Sequence, residues 1–490
     1  MGEMLGVIDR ERLADIVGQG NLFDDEETLE AYARDESFLP GRRPSFVVKP
    51  GSREEIVELL KMANETRVPL VPVSSGPPHF RGDTVPEYGG IVLDLSGMNR
   101  ILFVDREDRV AMIEPGVRFG ELQEALRKEG LKLPIPLCPR ETKSVVGSCL
   151  EREPHTIPKY HLDHSDPLSC AEVVFGTGDV FCTGEAAGPG TIEDKQRAGW
   201  RQKIRVEPQT ELVRLVQGSQ GTMGIVTWIT VRCEVLPGAQ RPLLAGSDDL
   251  GTLLEYLYRL VRLRLCDEAF LLDAADTAAL LAEDGGVEAL QEALPGWTLF
   301  FCISGYRILP EERVAILEKE AREAARFCDV TLQEAVAGIT AERALEVATN
   351  PSSGKYWKLR KRGGCQDVYF ISSFDGIAGH VELMRESLGK RGLSVGDVGV
   401  YIQPVCQGHG YHCEFNIFYD REDRAEREKV KEAYLDLCRA LFDNGAFFSR
   451  PYDLLPEMVY ARDAVTRNVL QRVKGVFDPN NVLNPGKLCF

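Results

Sequence analysis

Between residues 45 and 129 the chain alternates short apolar runs with helical stretches. No regular strand–helix–strand repeat accommodates their order, and this irregularity constrains the fold more than any other feature. Ile56, Leu59, Leu60, Met62 and Ala63 recur at helical spacing and predict an amphipathic helix over 54–64. Ser45-Phe-Val-Val precedes it and Val68-Pro-Leu-Val-Pro-Val follows it, both reading as strands. Then comes Ser74-Ser-Gly-Pro-Pro-His-Phe-Arg-Gly-Asp83, a run of turn formers without a period. Strands are expected again at Ile91-Val-Leu-Asp-Leu, Ile101-Leu-Phe-Val and Val110-Ala-Met-Ile-Glu, and Glu114-Pro-Gly-Val117 turns the chain into a helix over 119–129. This texture is α+β and departs from a Rossmann domain. The G-x-G-x-x-G fingerprint that opens a dinucleotide-binding helix is also missing.

A second loop covers 138–148. Ala171-Glu-Val-Val-Phe and Val180-Phe-Cys pair across a Gly-Thr-Gly-Asp turn, and Gly218-Ser-Gln-Gly-Thr-Met-Gly-Ile-Val-Thr227 closes this half. Pro237-Gly-Ala-Gln-Arg-Pro242 reads as a domain boundary. Beyond Leu243, Leu- and Ala-rich helices over 253–265, 277–294 and 310–327 alternate with strands at Thr298-Leu-Phe-Phe-Cys, Val368-Tyr-Phe-Ile and Glu414-Phe-Asn-Ile-Phe. A chain of 490 residues is too long for one core, so two or more domains are expected.

The net charge of −18 opposes nucleic acid and anionic lipid, although a local basic pocket can still hold an anionic substrate. No apolar run approaches the roughly 18 residues of a membrane span. The first ten residues lack the basic head and apolar stretch of a signal peptide, which points to a cytoplasmic address. The 13 cysteines include no C-x-x-C pair, so they read as small buried hydrophobes in a reducing compartment.

Four segments carry a resemblance. They are Pro44-Ser-Phe-Val-Val-Lys-Pro-Gly-Ser-Arg-Glu-Glu-Ile56 with the loop over 74–83, Ile113-Glu-Pro-Gly-Val117, the run from Gly218 to Thr227, and Phe477-Asp-Pro-Asn-Asn-Val-Leu-Asn-Pro-Gly-Lys487. In this order, across nearly the whole chain, they resemble the FAD-linked oxidases. The flavin domain of that superfamily is shared by vanillyl-alcohol oxidase, p-cresol methylhydroxylase and the D-lactate and glycolate dehydrogenases. The resemblance implies an α+β fold: a two-part FAD-binding domain of the p-cresol-methylhydroxylase type, with an inserted α/β cap carrying an antiparallel sheet. The first FAD segment would span 1–240, the cap 241–447 and the returning FAD segment 448–490.

The resemblance also implies a cofactor grip. A pyrophosphate needs backbone N–H groups aimed at it, and glycine lets the chain approach. Ser74, Ser75, Gly76, Pro77, Pro78 and His79 stand in the first loop, although the two prolines donate nothing. Ser144, Gly147 and Ser148 fall in Ser144-Val-Val-Gly-Ser-Cys-Leu-Glu-Arg152, which is similar to the second FAD loop. Gly218, Gly221, Gly224 and Ile225 come from the third segment, and Asn484 and Lys487 from the last.

For catalysis, Tyr160-His-Leu-Asp-His-Ser-Asp-Pro-Leu-Ser-Cys-Ala-Glu-Val-Val174 resembles the stretch bearing the phenol-oxidising branch's active-site aspartate. The resemblance thus places Asp163 near flavin N5 as base or charge partner. Arg450, in Phe447-Phe-Ser-Arg450, falls by the N1–C2=O edge, where positive charge favours reduced flavin. The bland readings are a turn-capping aspartate and a surface salt bridge. His161, Asp163, His164 and Asp166 form an active-site rim or a metal cluster. His409, His412 and Glu414 in Gly408-His-Gly-Tyr-His-Cys-Glu414 line the pocket, with His412 a catalytic candidate, or hold a divalent metal. The stretch lacks the Asp-Gly-Asn core of metal-dependent relatives, so no metal is assigned.

Asp367, in Gly363-Gly-Cys-Gln-Asp-Val-Tyr-Phe370, occupies the position of the histidine that anchors FAD covalently, so dissociable FAD is expected. Ser449 replaces the tyrosine that holds a phenolate, which weakens the alkylphenol reading. Three functions remain open. The first is oxidation of a small alcohol or alkylphenol-like substrate by hydride transfer to flavin N5, with a dehydrogenase favoured over an oxidase and a protein subunit as electron acceptor. The second is 2-hydroxyacid dehydrogenation of the D-lactate or glycolate type. The third is a non-catalytic FAD-binding electron-transfer subunit. A homo- or hetero-oligomer is expected.

Overall fold

The computed structural model describes residues 8–158, 167–184, 212–283 and 285–490. The helix Arg53–Thr66 starts where the Ser52 side chain accepts the Glu55 amide and stops at Arg67, whose φ is 58°. It buries Ile56, Leu59, Leu60, Met62 and Ala63, the stripe legible in the sequence. It crosses over between Phe46–Val48 and Leu70–Val73, which both pair in parallel with Ile91–Asp94; Leu22–Phe23 joins the edge antiparallel. The first sheet thus contains one strand–helix–strand unit, a local regularity that the irregular surroundings hide. A second sheet is antiparallel and ordered Ile101–Asp105, Val110–Ile113, Gly224–Arg232, Leu168–Phe175, Val180–Cys182.

The six-stranded third sheet runs Ala239–Ser247, Trp297–Gly305, Ala269–Asp273, Val398–Val405, Gly410–Asp420, Gly363–Ser372, and every pairing is antiparallel. Its side chains alternate between two cores. Leu271, Leu299 and Phe301 pack under Leu250–Arg262, Pro310–Phe327, Ile377–Lys390 and Arg424–Asp443. Phe270, Leu272, Phe300 and Cys302 face Ala274–Leu281 and Ala341–Thr349. The period of two along a strand imposes this division.

Two local expectations are corrected. The single helix over 277–294 is two, Ala274–Leu281 and Val287–Ala293, because Gly285 takes a φ of 79° between them. The Pro237–Pro242 run is not all boundary, since the third sheet already begins at Ala239. Pro242 is tolerated there because this is an edge strand, which has a free side where no amide is needed.

After the helix Ala464–Phe477 the chain returns to the first sheet. Leu70 donates its amide to the Val482 carbonyl at 2.8 Å, and Asn484 donates to the Leu70 carbonyl at 2.9 Å. The buried Asp478 carboxylate accepts the Val482 and Leu483 amides at 3.0 and 2.8 Å and pairs with Lys474 at 2.5 Å. Among the described residues no helix is long and apolar enough to cross a membrane.

Candidate active site

The loops that carry the turn motifs converge on one cleft. Ser74, Ser75 and His79 line it from the first loop, Gly147 from the helix Val145–Leu150, and Gly221, Gly224 and Ile225 from the third segment. Neighbouring side chains packed against the backbone explain the glycines. A Cβ on Gly147 would lie 2.7 Å from the Ser74 hydroxyl, and one on Gly221, whose φ is 71°, would lie 2.6 Å from Pro72 Cγ. Leu95, Pro115, Ile225 and Val226 give part of the wall an apolar character.

Other expected residues stand behind the wall. Ser144 caps the helix by accepting the Gly147 amide at 2.9 Å and donates to the Pro115 carbonyl at 2.6 Å. Ser148 donates to Glu153 at 2.6 Å. Gly218, at a φ of 69°, hydrogen-bonds Leu150 and leaves room for the Arg152 guanidinium. The Asn484 amide group donates to the Asp83 and Gln220 carbonyls at 2.8 and 2.7 Å and so ties the last segment to the first and third. Lys487 is buried, its Nζ has no hydrogen-bond partner among the described residues, and burial pushes its pKa down. Gly76, Pro77 and Pro78 are exposed and are not part of the cleft lining. Asp163, with His161, His164 and Asp166, lies outside the described residues.

The charged lining is paired in ways that the motifs do not show. Arg81 bridges Glu151 and Glu153, the latter at 3.0 Å, and Lys143 contacts the same carboxylates at 3.0 and 2.8 Å. Burial works against the Glu153 charge, but Lys143 and Arg81 hold its pKa well below the usual carboxylate range. On another part of the cleft wall, Lys358 sits 2.8 Å from both Asp367 and Glu414. Burial disfavours its ammonium form, yet those two carboxylates raise its pKa well above the usual value. His412 Nε2 lies 3.2 Å from Glu414 Oε2, and burial lowers the histidine's pKa. Asp367 is therefore an ion-pair partner on the cleft wall, and His412 and Glu414 form a buried pair behind it. His409 is exposed in a turn, away from that pair. Among the described residues no three His, Cys, Asp or Glu groups are arranged to hold a metal.

Arg450 is buried and stacks 4.2 Å above the Tyr369 ring; its guanidinium reaches the Glu151 carbonyl at 3.5 Å. The Ser449 carbonyl accepts a 2.6 Å hydrogen bond from Arg152. Arg81 and Glu151 were inside quoted motifs without being singled out. Tyr356 and Lys358 were in none, and only the fold brings them to the cleft.

Burial raises Asp83 to about 7, with Glu151 and Asp35 adding to it, and raises Asp453 to about 7. A carboxyl whose folded pKa exceeds its unfolded one keeps a proton that the unfolded chain has already lost. Stability therefore falls as pH rises between the two values, from about 4 to about 7. The melting temperature is expected to drop from about pH 5 to about pH 8, and Asp83→Asn and Asp453→Asn should each flatten that slope. Thermal unfolding across the range checks this, and an unaltered slope in both variants would contradict it.

A family profile described as FAD binding domain matches residues 44–183, and one described as FAD linked oxidases, C-terminal domain, matches 373–488. The chain is 24% identical to the glycolate oxidase subunit GlcD of Bacillus subtilis, over 98% of this chain and 96% of that relative. It is 22% identical to the 4-cresol dehydrogenase [hydroxylating] flavoprotein subunit of Pseudomonas putida, over 96% and 93%. The fold matches crystalline p-cresol methylhydroxylase with a TM-score of 0.84 at 20% identity, covering 98% of this chain and 96% of that one.

Proposed function

The chain belongs to the FAD-linked oxidases, an enzyme superfamily with a p-cresol-methylhydroxylase-type flavin domain, and from that premise we propose that it dehydrogenates a hydroxyl-bearing carbon of a small organic substrate. One observation carries the reading. Segments from both ends of the chain meet at a single cleft lined by ionised side chains, Arg81, Lys143, Glu151 and Glu153 from the first segment and Lys358 and Asp367 from the middle of the chain.

The cleft fits FAD. Its lining by Gly147 and Gly221, which bear no side chain, and its apolar wall of Leu95, Pro115, Ile225 and Val226 suit a dinucleotide with flat rings. Ser74, Ser75, Gly147 and Gly221 would hold the diphosphate. FAD supplies a two-electron acceptor when bound. Asp163 takes the substrate hydroxyl proton, and Arg450 places a fixed positive charge where negative charge develops. Residues 1–240 and 448–490 form the FAD domain around the cap at 241–447, and Asp367 in place of histidine leaves the cofactor dissociable. Electrons pass to a protein acceptor, as in an enzyme made of a flavoprotein subunit and a partner.

A 2-hydroxyacid substrate is the second reading, supported by the buried His412–Glu414 pair and by similarity to a glycolate oxidase subunit. Purified protein should be yellow, release its flavin on acid precipitation, and bleach anaerobically with a member of an alcohol and 2-hydroxyacid panel. A colourless protein would overturn the flavin reading, and a yellow pellet would overturn dissociable FAD. Bleaching by no compound would favour the non-catalytic electron-transfer subunit.

A further inference from the structure

Four lysine and arginine side chains line the cleft: Arg81, Arg140, Lys143 and Lys358. Three are neutralised. Arg81 and Lys143 share Glu151 and Glu153, and Lys358 is held by Asp367 and Glu414. Arg140 alone pairs with no carboxylate among the described residues, although it is half-buried and burial lowers its pKa. Glu151 and Glu153 act on it electrostatically, but both are already engaged.

Its position is fixed rather than incidental. The backbone on either side is tied to the cap, with Ser352 donating to the Pro139 carbonyl and Glu141 donating to the Ser352 carbonyl, both at 2.8 Å. Its guanidinium stacks 4.8 Å above the Phe80 ring, and Phe80 meets Tyr356 edge-on at 5.3 Å. A planar cation held against an aromatic wall keeps its N–H fork free for a planar anion. Leaving a partly desolvated cation unpaired costs free energy that a bound anion removes.

We propose that Arg140 is the anchor for a carboxylate on the substrate, so that the enzyme acts on anionic hydroxylated molecules and discriminates against their neutral counterparts. This rests on the reading of the cleft as the flavin and substrate site. Phe80 and Tyr356 would pack the apolar body of the same molecule, with Leu137 and Leu359 alongside.

The test uses the FAD-loaded protein and the flavin's visible spectrum as the binding signal. Propionate and benzoate are titrated against propionamide and benzamide. The carboxylates should perturb the spectrum saturably and the amides should not. In Arg140→Gln, FAD should be retained and carboxylate affinity should fall roughly 10- to 150-fold, the worth of a hydrogen bond to a charged group. Equal affinity for carboxylates and amides, or no carboxylate effect in the wild type, overturns the proposal. Loss of FAD from both Arg140→Gln and Arg140→Lys assigns the side chain to the cofactor's phosphates and also overturns it. If only the glutamine variant fails to fold, Arg140→Lys decides. Retained FAD with carboxylate binding at least about tenfold weaker supports the anchor, since a lysine lacks the planar fork, and wild-type affinity refutes it. Protein that holds no FAD at all instead removes the flavin reading on which the proposal stands.

Discussion

A chain ending at Phe477 is expected to lose FAD altogether. The missing residues supply the carbonyl of Val482 and the amide of Asn484 that clasp Leu70, the first residue of the strand that leads into the Ser74 loop. They supply the Asn484 amide group that joins the Asp83 and Gln220 carbonyls of the cleft lining. They also remove Asp478, leaving Lys474 buried without its counter-ion, and breaking such a pair from one side costs about 3–5 kcal/mol. Global misfolding would give the same loss, so point variants separate the causes. Asn484→Ala should keep the fold by circular dichroism while weakening FAD at least about tenfold, since two buried carbonyls lose their donor. Asp478→Asn should lower the melting temperature. Flavin retained at wild-type stoichiometry in the truncated chain would refute the two-part flavin domain.

Arg450→Met should slow anaerobic flavin reduction by about 10²-fold or more, as for loss of a preorganised charge at a developing anion. Arg450 is buried, lies over Tyr369 and pairs with no carboxylate among the described residues, so its charge is not cancelled by an ion pair there. Asp163→Asn keeps the side chain's shape and removes its charge; reduction should slow roughly 10²–10⁴-fold, the range of a positioned acid–base group. Substrate binding should change much less in both. Stopped-flow reduction separates these effects from reoxidation. If both variants reduce at wild-type rates while holding FAD, the proton acceptor lies elsewhere and the His412–Glu414 pair becomes the next candidate.

The sequence by itself determined the local elements and the family. The helical stripe from Ile56 to Ala63 and the helix Pro310–Phe327 were legible because burial of one face writes a period into the chain. The turn-rich segments were legible because glycines at positive φ, as at Gly218 and Gly221, have few substitutes. Tertiary structure decided everything that depends on long-range pairing. The parallel pairing of Phe46–Val48 and Leu70–Val73 with Ile91–Asp94 leaves no mark in an apolar run, since strand order is not a local property. The division of the third sheet into two cores depends on which helices cover each face, not on its own alternation. The charged lining is the clearest case. Lys358 lies nine residues from Asp367 but 56 from Glu414, and Arg81 lies 70 and 72 from its two carboxylates. Charged side chains are common on any surface, so their spacing carries no signal. Only the packing of distant segments against one another decides which of them are buried, which are paired, and that Arg140 has no carboxylate partner among the described residues.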